Sequence, residues 1–386
     1  MALLTERQER LRRQVREFAQ TEVLPLANRL DPEHAEIPDA LMSAIAAKGC
    51  FGITIPVERG GLGLGVVEYC LVSEELAGAW MSAASVIGYT NGSTAVLTAD
   101  AHDDVLRRMA AGTFIPAFSL TEPAAGSDAA AITCRAEQTT AGWRISGRKR
   151  WCGFALRADA IIVYARTAPP TAASRSSGIS AFLVAKERNV FPQGLTGRPI
   201  PKIGYFGITS WELDFEQLEL PADALLGAEG KAFAVGMREL TTARVQTAAR
   251  AIGCAAAALD DAASYAASRE QFGRPISEFQ AIRFRLAEMA TQVAAARSLT
   301  LDAAALLDAS QPADAEAATA KLFASEMAEW VTSEALQIHG GNGYTTDYAV
   351  ERHWRDARLT RIIEGTSEIQ KHIISRALLR GEGPWR

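Results

Sequence analysis

Trp211-Glu-Leu213-Asp-Phe215 alternates apolar and acidic residues with a period of two. Three β-rich runs precede it: Trp143-Arg-Ile145, Ala160-Ile-Ile-Val-Tyr164 and Ile179 to Val184. Branched and aromatic side chains in short, partly alternating runs predict strands, and these occupy only the span from Ile115 to Leu226. On either side the apolar period is helical. Leu4, Leu11, Val15 and Phe18 recur at helical spacing until Pro25 and Asp31-Pro32, which are expected to interrupt it, and Asp39 to Lys48 and Glu68 to Ala79 read as further helices. From Gly230 onward the helical period returns, as in Leu286, Met289, Val293 and Ala296, with many alanines that permit close helix packing. Helices, then strands, then helices predict an α+β arrangement of segregated domains rather than alternating β-α units. No G-x-G-x-x-G stands in a β-α-β setting, which makes a nicotinamide enzyme the weaker reading.

A chain of 386 residues with 48% hydrophobic composition is expected to hold two or three packing units. Its 40 basic and 45 acidic residues give a net charge of -5, so nothing general attracts it to nucleic acid. Cys50, Cys70, Cys134, Cys152 and Cys254 are widely spaced, without C-x-x-C, and suggest neither a disulfide framework nor a zinc cage. His34, His102, His339, His353 and His372 form no metal-spaced pair; His339, inside a glycine-rich turn, is expected to be structural. The first 30 residues carry charges throughout, without the apolar core of a signal peptide, and no run is long enough to span a bilayer. A reducing, cytoplasmic location follows as the expectation. Gly60-Gly61-Leu-Gly63-Leu-Gly65 lacks the Lys-Ser/Thr ending of a P-loop and reads as a structural turn. Ala168 to Gly178, rich in Pro and Ser, reads as a mobile hairpin connection between two strands.

Arg361-Ile-Ile-Glu364-Gly365-Thr366-Ser367-Glu368-Ile-Gln370 places one carboxylate where a helix is about to begin. Gly365 frees the backbone beside Glu364, and Ser367 with Gln370 three residues later reads as a capping box. The carboxylate is thus expected at a loop tip. On these residues alone, a glutamate that merely complements the helix dipole is the simpler reading. Its company argues for chemistry. Gln337-Ile-His-Gly340-Gly341-Asn-Gly343-Tyr344 lies upstream, preceded by Arg269-Glu-Gln271-Phe272-Gly273-Arg-Pro-Ile-Ser-Glu-Phe279-Gln280. Thr121-Glu122-Pro123-Ala-Ala-Gly126-Ser127-Asp128 and Lys149-Arg150-Trp151 lie near the middle.

In order and separation these segments resemble the signatures of the acyl-CoA dehydrogenases, FAD-dependent enzymes that desaturate acyl thioesters, and the resemblance covers nearly the whole chain. It implies an N-terminal helical domain (1–117), a middle β-barrel-like domain (118–228) and a C-terminal four-helix bundle domain (229–386). Glu364 would remove the proton next to the thioester carbonyl while the neighbouring carbon gives hydride to FAD. A backbone N–H at or beside Glu364, with Gly365 adjoining, would polarise the thioester oxygen. The resemblance assigns Thr121 to the flavin ring, Ser127 to the phosphate region and substrate, Trp151 to the isoalloxazine face and Gly153 to the flavin edge. It sends Arg269, Phe272, Gln280, Gln337 and Gly341 to the FAD of a neighbouring subunit, and Thr366 and Glu368 to the FAD on their own side. A homotetramer, built as a dimer of dimers, follows. Arg244 is placed at the tunnel mouth and Arg376 near the CoA phosphates. Electrons would pass to an electron-transfer flavoprotein or similar acceptor. Read without the family, Trp151 is a core aromatic, Ser127-Asp128 a turn, and Arg269, Arg244 and Arg376 surface arginines.

Four positions depart from the family pattern. Gly153 replaces a common Thr or Ser hydroxyl, which keeps acyl-CoA oxidase chemistry open. Thr241 stands where Asp is frequent, and Ile363 where an aromatic is, which leaves a carrier-protein-bound acyl or aminoacyl group as an alternative to acyl-CoA. Ala243 occupies the place from which some relatives project their base, leaving Glu364 as the candidate. A flavin-containing binding protein with little turnover is the rival from another class.

Overall fold

The β-rich middle of the chain pairs into one sheet in the computed structural model, which describes residues 4–92, 97 and 103–385; His102 lies outside them. The strands are β1 (Pro116–Ser119), β2 (Arg135–Thr139), β3 (Gly142–Gly153), β4 (Ala160–Arg166), β5 (Ile179–Ala185), β6 (Leu195–Pro199), β7 (Ser210–Pro221) and β8 (Leu225–Leu226). Their order is β6-β7-β3-β2-β4-β5-β8, with β1 parallel to β4. Six of the seven β4 residues are buried, which explains why Ala160-Ile-Ile-Val-Tyr164 is continuously apolar; in β7 Leu213 and Phe215 are buried together with Glu212, while Trp211 and Asp214 are half-buried. β3 and β7 pair antiparallel with a register shift between Lys149 and Cys152. That irregularity turns Trp151 outward at φ +64°. The 168–178 segment does connect β4 to β5, but it is tied down. The Arg166 guanidinium donates to the carbonyls of Ala130, Ile132, Arg175 and Ser177.

Before the sheet lie α1 (Glu6–Phe18), α2 (Leu24–Leu30), α3 (Asp39–Ala47), α4 (Val66–Ala79), α5 (Met81–Val86), α6 (Gly88–Asn91) and α7 (Asp103–Ala110). Pro25 does not stop the first helix as its sequence suggests. A π-turn over Ala19–Val23 resets the hydrogen-bond ladder, and Pro25 falls in the first turn of α2, where its missing N–H deprives no partner. In the glycine-rich turn, a Cβ on Gly61 would stand 2.0 Å from the Ile55 carbonyl, so close backbone approach is its purpose.

After the sheet come α8 (Ala232–Ser268), α9 (Gln280–Asp308), α10 (Asp314–His339), α11 (Val350–Thr360) and α12 (Ser367–Arg380). α8 is central, packing on α4, α9, α10 and α11. Ala248, Ala251, Ala255, Ala258, Ala262 and Ala266 give it a buried seam of small side chains. A Cβ on Gly253 would lie 2.2 Å from the Glu74 carbonyl, so α4 and α8 meet backbone to backbone. Asp308 at the end of α9 accepts the Val66 and Val67 N–H groups at 2.5 and 3.1 Å, capping α4 from another domain. Among the described residues no helix is long and apolar enough to cross a membrane.

Candidate active site

Glu364 and Gly365 are both left-handed, at φ +52° and +88°, in the turn between α11 and α12. A non-glycine residue in this region stores roughly 1–3 kcal/mol of strain and persists only where its surroundings enforce it. Here the Lys321 ammonium donates to the Gly365 carbonyl at 2.7 Å, and Gln370 Nε2 donates to the same oxygen at 2.8 Å and to the Glu364 carbonyl at 3.3 Å. A Cβ on Gly365 would strike Gln370 Nε2 at 2.7 Å. The expected capping box is therefore displaced by one residue. Thr366 is the cap, accepting the Ile369 N–H through Oγ1, while Ser367 opens the helix and Gln370 is spent on the turn. The half-buried Glu364 sits at a braced loop tip, and its backbone N–H donates to no protein acceptor among the described residues.

The Glu364 charge acts on Tyr69, Tyr89, Tyr205, Arg244 and Lys321, which places those groups around it. Burial pushes the Tyr205 phenol up to about 12, and burial holds Lys321 down to about 8 although Glu364 opposes the shift. Tyr89 and Tyr205 nevertheless keep part of their surface accessible. Tyr69, by contrast, is 2% exposed. Arg244 is buried at 8% exposure, so it is no surface arginine, and burial lowers its pKa below the ordinary arginine value. Its Nη1 lies 3.4 Å from Thr241 Oγ1 and 3.5 Å from Asp314, and Thr241 donates to Asp314 at 2.6 Å. Asp314 thus supplies from α10 the carboxylate that Thr241 lacks. Arg376 is exposed on α12, outside this cluster.

The segments that carry Thr121 and Trp151 are joined by the buried Lys149–Glu122 ion pair. Lys149 Nζ donates to Glu122 Oε1 at 2.8 Å and to the Leu120 carbonyl at 2.9 Å, and the Arg150 N–H donates to the Thr121 carbonyl at 2.8 Å. Burial alone would raise the Glu122 pKa. Lys149 and the N–H groups of Thr133 and Cys134 overcome it and hold the carboxyl below its ordinary value. Trp151 itself is 53% exposed with the Arg150 guanidinium 5.2 Å from its ring, so it is no core aromatic. Ser127 is exposed in the turn that follows Thr121. Gly153 has a clear steric cause: a Cβ there would meet the Tyr89 hydroxyl at 2.2 Å. The volume that a Thr or Ser side chain would take is filled from α6.

Arg269 and Phe272 lie in the hairpin between α8 and α9, where Phe272 is 92% exposed at φ +54°, and Gln280 is the first residue of α9. Gln337, in the last turn of α10, and Gly341, in the turn that follows, are bound to α8 by the Tyr265–His339 ring stack at 4.3 Å and by Asn342 donating to Tyr265 Oη at 3.0 Å. His339 is structural, its Nδ1 2.8 Å from the Ala335 carbonyl. No hydrogen bond or ring contact of this exposed group reaches Trp151 or Glu364 among the described residues. Thr366 and Glu368 belong to the Glu364 side. The Glu368 N–H and the Thr366 hydroxyl hold the Glu368 carboxyl below its ordinary pKa at the start of α12.

Family models for the acyl-CoA dehydrogenase N-terminal, middle and C-terminal domains match residues 5–113, 117–218 and 230–379. The chain belongs to the acyl-CoA dehydrogenase family. It is 40% identical to acryloyl-CoA reductase (NADH) of Anaerotignum propionicum, covering 98% of this chain and 95% of that one. A chain from a study of the electron transferring flavoprotein of Acidaminococcus fermentans superposes with a TM-score of 0.93 at 37% identity, covering 98% and 100%. Glutaryl-CoA dehydrogenase of Mycobacterium smegmatis in complex with FADH2 gives 0.90 at 26% identity, covering 99% and 97%. The protein is thus an FAD-dependent oxidoreductase acting on the CH–CH group of acyl-CoA. The residues present fit the cofactor: an outward-turned Trp151 plane beside the Gly153 backbone suits a flat apolar ring, and the exposed Arg269 suits a pyrophosphate.

Sequence reasoning missed Tyr89, Tyr205, Arg250 and Lys321. The two cations did leave a trace. Ala248-Ala-Arg250-Ala and Ala320-Lys321-Leu set single charges within runs of small or apolar residues on otherwise buried stripes.

Proposed function

We propose that Glu364 is the base that removes the α-proton of the bound acyl thioester, and that the free N–H beside it polarises the thioester oxygen. The observation that carries this reading is the strained Glu364-Gly365 turn, held by Lys321 and Gln370 with a carboxylate and an unpaired N–H at its tip. Both groups then act on either side of one carbonyl carbon, the oxygen contact stabilising charge as the α-proton leaves. A bound FAD would supply the hydride acceptor for the neighbouring carbon. Trp151 and Thr121 would hold its ring, the Gly153 backbone its edge, and Ser127 its phosphate side and the substrate entrance. Thr366 and Glu368 would contact it from the Glu364 side. Arg269, Phe272, Gln280, Gln337 and Gly341 would hold the cofactor of a second subunit, a reading supported by the exposure of Phe272 at 92% and Tyr344 at 86%.

A homotetramer follows from that division, with Arg244 ordering the thioester end inside the tunnel and Arg376 meeting the CoA phosphates outside. An electron-transfer flavoprotein is the proposed acceptor and the cytoplasm the proposed location, the latter supported by five cysteines that are all buried and unpaired. Anaerobic mixing with acyl-CoA substrates tests the function. Bleaching of the flavin absorbance by acyl-CoA, and not by the matching free acids, is the expected result. A flavin that stays oxidised with every thioester tried would refute it, and rapid reoxidation by air would favour the oxidase.

A further inference from the structure

Arg250 on α8 is buried at 6% exposure and has no carboxylate partner among the described residues. Its Nη1 donates to Ser85 Oγ at 2.8 Å and its Nη2 to Thr247 Oγ1 at 2.7 Å, while its Nε has no partner. Two hydroxyls orient this guanidinium without neutralising it. Its field acts on Tyr69, Tyr89 and Tyr205, the same three phenols that Glu364 acts on. Arg250, with its unpartnered Nε, and Glu364, on the turn that Lys321 holds, thus flank the same three rings.

One of these rings is held in place. Tyr205 is left-handed at φ +59°, its N–H donating to Asp356 at 2.6 Å and its carbonyl accepting from Lys202 at 2.8 Å, which fixes the phenol beside Ser85. Glu364 and Glu368 act on Lys321 and Asp356 on Tyr205, but of Arg244, Arg250 and Lys321 only Arg244 has an acid, Asp314, within ion-pair distance among the described residues. A buried cation without a counter-charge is costly, and a bound anion is the simplest relief. On the reading of Glu364 proposed above, an acyl chain with its α-carbon there would extend its far end among these phenols toward Arg250.

We propose that this site takes acyl-CoA thioesters whose chain ends in a carboxylate, the monothioesters of short dicarboxylic acids, and that Arg250, oriented by Ser85 and Thr247, binds that carboxylate. The inference rests on Glu364 marking the reacting end. Its test separates the two claims by measuring binding as well as turnover. Calorimetry on the FAD-loaded enzyme compares non-oxidisable CoA thioethers bearing carboxyalkyl chains with plain alkyl thioethers of equal length. The carboxylated chains should bind roughly tenfold to a hundredfold tighter, the range for a hydrogen-bonded charge, and Arg250→Gln should erase the difference. Succinyl-, glutaryl- and adipyl-CoA should likewise bleach the flavin faster than butyryl-, pentanoyl- and hexanoyl-CoA. Equal or weaker binding of the carboxylated thioethers to the unmodified enzyme overturns the proposal, whether or not Arg250→Gln folds. A preference that survives Arg250→Gln overturns the role of Arg250. Discriminating binding with no flavin reduction by any thioester would refute the dehydrogenase reading and leave the carboxylate site standing.

Discussion

Gly153→Ala is the substitution whose cost the structure defines best. The added Cβ falls 2.2 Å from the Tyr89 hydroxyl but 3.5 Å from both Ile208 Cγ2 and Tyr89 Cζ, which is ordinary contact. One atom therefore creates the clash. Tyr89 must retreat by about 1 Å to restore contact distance, against its stack on Phe154 at 5.7 Å, and overpacking of this kind costs about 1–3 kcal/mol. With an unfolding entropy of about 2.1 cal/mol/K per residue, that cost corresponds to a drop in Tm of about 1–4 °C for this chain. Tyr89→Phe removes the offending oxygen, so the double variant Gly153→Ala/Tyr89→Phe should lose less than the sum of the two single changes. A favourable coupling of about 0.5–3 kcal/mol is expected. Thermal melts of all four proteins, with FAD in excess and read by circular dichroism and flavin fluorescence, give the cycle directly. Gly153→Ala as stable as the unmodified chain, or strictly additive costs, would refute the idea that Tyr89 fills the space of the missing side chain.

Lys321 supplies a pH test. Burial holds its pKa at about 8 against an ordinary value of 10.5, so the folded chain binds fewer protons than the unfolded chain between those values. Its contribution to stability therefore rises with pH across that window, and its penalty is fully present below pH 8. Urea midpoints taken through the window should rise less steeply for Lys321→Met than for the unmodified protein; identical slopes would contradict the assignment. Lys149→Met strands the Glu122 carboxylate in the interior and should cost about 3–5 kcal/mol by chemical denaturation. Arg269→Ala should lower the FAD retained through gel filtration, and full occupancy would count against its role at the pyrophosphate.

The order of helices, strands and helices was legible because apolar periodicity changes twice along the chain, near Ile115 and again near Gly230. The loop tip that carries Glu364 was legible because a glycine follows it just before a helix, whereas its role as a base came only from the resemblance of the surrounding segments. What remained hidden depends on distance through the fold. Ser367 and Gln370 have the spacing of a capping box, yet Gln370 is drawn to the Gly365 carbonyl, and only the folded turn shows which acceptor wins. Pro25 looked like a break because no local signal announces the π-turn that accommodates it. Gly153 read as a missing hydroxyl, since Tyr89, 64 residues earlier, fills its space only in three dimensions. Arg244 read without the family as a surface arginine, and its burial beside Asp314 needed the contact of α8 with α10.

Glu364→Gln keeps the shape of the turn and removes the ability to take a proton, so it probes the central assignment most directly. Stopped-flow reduction of the FAD-loaded variant by an acyl-CoA that bleaches the unmodified enzyme should slow by roughly a hundredfold to ten-thousandfold, with the oxidised flavin spectrum unchanged. Reduction at an undiminished rate would contradict the account, because the proton would then be leaving to some other group.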